Sequence, residues 1–144
     1  MYFIDANIII YAAGKPSRYK SPCELILAGV QEKLLSCVTS TEVLQEILHY
    51  YIALKRKAIG ISIMEGVLPW MVVLPITKKE IEQTVILHER YPQLSSRDAI
   101  HVATMMNHSI KDLISVDRDF DSQKEVCRID VFDLVSSWAN ELSP

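Results

Sequence analysis

Short apolar runs alternate along the chain with longer stretches whose apolar positions recur every three or four residues. The first run, Tyr2 to Ile4, predicts a strand, and a helix from about Asn7 to Ala13 follows it. A helix over 21–32 and a short strand near "LLSCV" come next. "TSTEVLQEILHYYIALKRKA" reads as one long helix, opened by Thr39 and Glu42 at the spacing of a capping box. "MVVLP" predicts a strand, and Thr77 with Glu80 in "TKKE" opens another helix with a second box. "SSRDAIHVATMMNHS" predicts a helix, "DLISVD" and "RIDVFD" predict strands, and 133–142 predicts a last helix. Strands separated by helices need crossover connections. The fold class expected is therefore α/β, a three-layer α/β/α arrangement with a mainly parallel central sheet. Ligands in such sheets gather at the carboxyl ends of the strands.

Composition narrows the possibilities. The 144 residues, 49% hydrophobic and 23% charged, exclude a disordered chain and predict a single domain over 1–144. A net charge of −3 attracts no polyanion globally, so any nucleic-acid contact must come from a local basic patch or a bound metal. Cys23, Cys37 and Cys127 lack a CxxC spacing, which predicts buried, reduced thiols and no zinc. The N-terminus has no basic leader, and no stretch nears the roughly 20 apolar residues of a membrane span. The expectation is a cytoplasmic protein with no membrane contact.

Asp5 interrupts an otherwise apolar opening, "MYFIDANIIIYAAG". A carboxylate there loses hydration unless donors or a cation compensate. Asp117 ends "DLISVD" at the matching end of another predicted strand. On helical wheels Glu46 borders the apolar arc of its helix, and Asp98 borders the arc of Ala99, Val102, Ala103 and Met106. Glu42 points further round. Each acid also has an ordinary reading: Asp5 as a helix cap, Asp98 in a capping box with Ser95, Asp117 as a turn acid, Glu46 as a solvated helix residue.

Taken in order, "FIDANIIIYA", "TSTEVLQEIL", "SSRDAIHVAT" and "LISVDRDFD" resemble the four acidic motifs of PIN-domain ribonucleases, and most closely those of VapC-type toxins of prokaryotic toxin–antitoxin pairs. The resemblance runs from Asp5 to about Val131. It implies a PIN-like fold with catalytic, metal-binding carboxylates at Asp5, Glu46, Asp98 and Asp117, and supporting polar groups at Asn7 and Ser115. Ser115 stands where Thr is more usual and keeps the hydroxyl. Asp119 or Asp121 would assist Asp117. The resemblance also implies an RNA substrate, a homodimer and a small antitoxin partner that blocks the site.

Four carboxylates in one place raise each other's pKa, a conflict that a hard divalent cation resolves. Oxygen donors without sulfur suit Mg²⁺ or Mn²⁺, which can activate water against a phosphodiester. Phosphate contacts could come from Lys55, Arg56, Lys57, Arg97, Lys111 or Arg118, although charge runs are usually solvated helix faces. Three alternatives stand beside this reading. One is a non-catalytic binding module on the same fold. Another is a phosphoaspartate protein, for which Asn7 stands where a phosphatase needs a second Asp. The third is a di-iron carboxylate protein built on Glu46-x-x-His49 and Asp98-x-x-His101, which needs a helix bundle rather than alternating strands. Outside that last reading, His49 and His101 are expected to be surface or partly buried residues rather than ligands.

Overall fold

Every strand among the described residues is short and is followed, at once or after a few residues, by a helical element at its carboxyl end. A computed structural model, which describes residues 1–141, has the order β1 (Tyr2–Ile4), α1 (Ala6–Ala13), α2 (Lys20–Gln31), β2 (Cys37–Ser40), α3 (Thr41–Ala53), α4 (Lys57–Val67), β3 (Val72–Leu74), α5 (Lys78–Arg90), α6 (Ser96–Asn107), β4 (Asp112–Ile114), a 3₁₀ turn (Arg118–Ser122), β5 (Cys127–Ile129) and α7 (Val131–Glu141). The five strands form one sheet in the order β3-β2-β1-β4-β5, and all four pairings are parallel. Phe3 lies level with Val38 on one side and Leu113 on the other.

Helices α1, α2 and α7 pack in sequence against one another, and α5 packs against α6. The right-handed rule for parallel crossovers assigns these two groups to opposite faces of the sheet. The core between the layers includes Phe3, Ile4, Ile8, Ile26, Ile47, Val102, Leu113 and Ile114, each buried. Gly29 on α2 lies so close to the Trp138 ring of α7 that a Cβ there would overlap it. The chain runs outward from β1 to β2 and β3, then returns to place β4 on the other side of β1. The carboxyl ends of β1 and β4 therefore flank the topological switch point.

Several expected boundaries differ. The long helix over 39–58 is two helices, because Lys55 adopts a left-handed conformation (φ 58°) after α3. The Lys55 N–H donates to Ile52 O and the Arg56 N–H to Tyr51 O, which is a Schellman closure without glycine. Lys33 and Ser109 close α2 and α6 in the same way. Thr39 belongs to β2, where its hydroxyl donates to Ile4 O at 3.0 Å, and Ser40 caps α3 instead. The box expected from Thr39 and Glu42 does not form: the cap moves to Ser40, and Val43 at the third helical position has no side-chain acceptor to complete a box. "RIDVFD" is strand only to Ile129, since Asp130 accepts the Phe132 N–H and turns the chain into α7. "DLISVD" is likewise strand only to Ile114. Residue 142, expected in the last helix, lies outside the described residues. Cys23 and Cys37 are buried, and desolvation pushes both thiols up to about 12, but Cys127 on the edge strand β5 is exposed. Among the described residues no helix is long and apolar enough to cross a membrane.

The Thr77–Glu80 box forms as expected and extends further. Buried Glu80 accepts from the Thr77 N–H (2.7 Å) and hydroxyl (2.6 Å) and from Asn107 Nδ2 (2.9 Å), tying α5 to α6. The Asn107 and Thr77 donors hold its pKa down at about 2. A folded value below the unfolded one, about 4.3, stabilises the native state above that pH and is lost as pH falls toward 2. Urea melts between pH 5 and 2 should show the wild type losing this increment and Glu80→Gln showing a flatter profile.

Candidate metal centre

Asp5 follows β1 directly and is 5% exposed. One carboxylate oxygen, Oδ1, accepts the Ala6 N–H at 2.7 Å and so caps α1. The other, Oδ2, accepts from Ser115 Oγ at 2.6 Å and Asn7 Nδ2 at 2.8 Å. Ser115, just past β4, also accepts from Asn7 Nδ2 (2.9 Å) and from the Asp117 N–H (3.0 Å). Asn7 in turn accepts the Val116 N–H at 3.3 Å. These bonds fasten the ends of β1 and β4 together across the switch point and fix how the Asp5 carboxylate is presented.

Helix α3 touches both α1 and α6, and this brings Glu46 to the same place. Glu46 Oε2 lies 3.2 Å from His101 Nε2, which lies 3.9 Å from Asp5 Oδ1. One potential ligand atom from each of Asp5, Glu46 and His101 falls within 4.8 Å of the others. Half-buried Asp98 on α6 couples electrostatically to His101, Asp117 and Glu46. The structure thus brings Asp5 and Glu46 closely together, whereas Asp98 and Asp117 stand outside the group whose ligand atoms lie within 4.8 Å of one another. Asp98 keeps its capping-box position, with Ser95 Oγ accepting the Asp98 N–H at 3.1 Å. Asp117 caps the 3₁₀ turn through the Asp119 N–H at 2.9 Å.

Charge and burial conflict here. Burial raises the pKa of Asp5, and Glu46 adds to the rise against the opposing pull of His101 and Ser115. Burial also raises Asp98, reinforced by Asp117 and Glu46. For His101 burial opposes the charged ring, but the hydrogen bond to Glu46 and the charges of Asp5, Glu46 and Asp98 outweigh it, so its pKa rises. Such a cluster of oxygen donors with strained ionisation fits a hard divalent cation, with Asp5 and Glu46 as the central pair.

His101 is the site residue that sequence reasoning missed. It is 1% exposed, whereas His49 is exposed. The burial of α6 extends beyond the expected arc: Ala99, His101, Val102, Ala103, Thr104 and Met105 are all buried, so His101 lies on the side of the helix that the apolar stripe did not mark. Arg97 lies 3.9 Å from both Glu42 and Glu46, so it is engaged with helix carboxylates. Asp121 is held by Arg128 at 2.7 and 3.2 Å, whereas Asp119 lines a recess of about 340 Å³ with Asp98 and Arg118. Lys111 precedes β4 and therefore lies at the opposite end of the sheet. Lys55 and Arg56 are exposed between α3 and α4, and Lys57 is exposed at the start of α4. Arg56 lines a larger groove of about 850 Å³ with Lys15, Tyr11, Tyr50 and Tyr51, and this groove reaches Asn7.

The family model described as PIN domain matches residues 2–126. The chain belongs to the PIN domain family. It is 35% identical over 130 residues to Ribonuclease VapC13 of Mycobacterium tuberculosis, covering 90% of this chain and 99% of that protein. Among solved structures, this PIN domain resembles the M. tuberculosis toxin VapC20, described as cleaving the sarcin–ricin loop, with a TM-score of 0.73 and 18% identity over 86% of this chain and 95% of that one. It also resembles VapBC2 of Rickettsia felis bound to promoter DNA, with a TM-score of 0.68 and 19% identity over 89% and 96% of the two chains. At these identities the structural matches concern the fold.

The raised pKa values of Asp5, Asp98 and His101 share one sign. The native PIN domain keeps protons that the unfolded chain has released, so its metal-free stability falls as pH rises from about 4 for the acids and from about 6.5 for His101. Thermal melts from pH 4 to 8 in chelator should show this decline. In Asp5→Asn, which retains the cap, the decline should be smaller and the metal-free melting temperature at or above that of the wild type. A variant that melts lower at every pH, with an unchanged slope, would leave Asp5 a cap and nothing more.

Proposed function

We propose that this PIN domain is a divalent-metal-dependent endoribonuclease acting as the toxin of a toxin–antitoxin pair. The observation that carries the reading is the convergence of Asp5 and Glu46 at the switch point of a chain whose relatives are named ribonucleases. Asp5, Glu46, Asp98 and Asp117 would hold Mg²⁺ or Mn²⁺. When bound, the ion supplies water activation and charge neutralisation for phosphodiester hydrolysis. Asn7 and Ser115 hold the Asp5 carboxylate in place, and Asp119 is the better-placed assistant to Asp117, since Asp121 is occupied by Arg128.

One recess is lined by Asn7 and the other by Asp98, so each reaches a residue of the proposed centre. A single-stranded RNA crossing the centre would meet Arg56 and Lys15 in the first and Arg118 in the second, supplying the local positive charge that a chain of net charge −3 otherwise lacks. A small antitoxin partner is supported by the toxin–antitoxin complexes among the structural neighbours. A homodimer is supported by the outward apolar side chains Ile81, Val85 and Ile86 on α5.

Purified protein should cleave single-stranded RNA with Mg²⁺ or Mn²⁺, stop in chelator and leave 5′-phosphate ends. Undiminished cleavage in chelator, or 2′,3′-cyclic phosphate ends, contradicts the proposal. Glu46→Gln should lose at least tenfold in rate, about 1.4 kcal/mol of transition-state stabilisation, while Glu42→Gln stays near wild type. The reverse result would move the α3 carboxylate one turn.

A further inference from the structure

His101 is completely enclosed, yet its Nε2 edge faces two carboxylates, 3.2 Å from Glu46 Oε2 and 3.9 Å from Asp5 Oδ1. Its other ring nitrogen, Nδ1, is buried and has no hydrogen-bond partner among the described residues. Two roles are open to an imidazole in that position once a cation is bound. As a ligand through Nε2 it would carry its proton on Nδ1, leaving a buried N–H with no acceptor. Metal-bound histidines almost always give that second N–H to a carboxylate, carbonyl or water, and among the described residues no carboxylate or carbonyl is within hydrogen-bond reach of Nδ1. As a donor through Nε2–H it would leave only a bare lone pair on Nδ1, a milder defect than an orphaned donor.

We propose that His101 is a positioning residue whose Nε2–H donates to Glu46 and turns that carboxylate toward Asp5, outside the cation's coordination sphere. The proposal rests on the metal-site reading above and deepens it. Glu46 needs such a partner because it is only half-buried on α3 and its other oxygen, Oε1, has Arg97 no nearer than 3.9 Å. Asp5, by contrast, is already held by Ala6, Asn7 and Ser115. His101 itself is fixed by burial on α6 and by the Phe3 ring of β1 at 5.9 Å between centroids. The donor that orients Glu46 therefore stands on the same rigid frame that carries Asp5.

Calorimetric titration with Mn²⁺ and pulsed EPR of the Mn²⁺-loaded protein test this without reference to RNA cleavage. His101→Leu should weaken Mn²⁺ binding by roughly 10- to 100-fold, the usual effect of losing a partner of a metal ligand. His101→Gln, whose amide nitrogen can occupy the Nε2 position, should bind within about threefold of wild type. Nitrogen NMR of the Mg²⁺-loaded wild type should show a protonated Nε2 and a bare Nδ1, a measurement that needs no variant to fold. Direct ¹⁴N coupling from an imidazole to Mn²⁺ would overturn the proposal by making His101 a ligand. So would a His101→Leu variant that melts lower but binds Mn²⁺ as tightly as wild type, since that is the behaviour of a purely structural histidine. Wild-type protein with no Mn²⁺ affinity would instead remove the metal-site reading, and this proposal with it.

Discussion

A carboxylate buried where two parallel strands end is the constraint on which the rest of this molecule depends. Asp5 gives up its hydration at the switch point of the sheet, and the surroundings return it as directed donors: one backbone N–H, one hydroxyl and one amide. Those donors come from α1, which follows β1 after Asp5 itself, and from the segment after β4, so satisfying one side chain also ties the ends of the two central strands together. What the donors leave uncompensated is charge. Burial and the approach of Glu46 both disfavour an ionised Asp5, and in the metal-free protein His101, 3.9 Å away, is the group whose protonation opposes them.

Capping and metal binding are not competing roles for these acids. In a parallel α/β sheet the carboxyl end of each strand coincides with the amino end of the following helix, where unpaired N–H groups point outward. Asp5 caps α1 with the same oxygen, Oδ1, that faces His101, while Ser115 and Asn7 hold Oδ2, and Asp117 caps its 3₁₀ turn while coupling to Asp98. The same placement gives the site a rigid base, because every acidic side chain in it is anchored at the start of a helical element or on a helix packed against the core.

Much of this was legible in the sequence because it is periodic or local. Strand and helix alternation yields the parallel sheet, and the Thr77–Glu80 and Ser95–Asp98 spacings mark real helix starts. The split between α3 and α4 was not legible, since the left-handed closing residue is Lys55 rather than the glycine that usually signals one. The ends of the last two strands were missed because apolar residues continue into the capping turns. His101 was hidden for a different reason. Its meaning depends on α3 bringing Glu46 across the sheet, and no spacing within α6 encodes that contact. The basic residues were the least readable. Charge alone does not tell that Arg97 faces Glu42 and Glu46, or that Lys111 sits at the far end of the sheet.

The most direct test of a cation centre at Asp5 is anomalous scattering from crystals of the wild-type protein equilibrated with Mn²⁺. The expected result is a peak at roughly 2 Å from carboxylate oxygens of Asp5 and Glu46, lost in Asp5→Asn crystals treated alike. Mn²⁺ density elsewhere on the molecule, with Asp5 still capping α1 and the space between the two carboxylates empty, would contradict it.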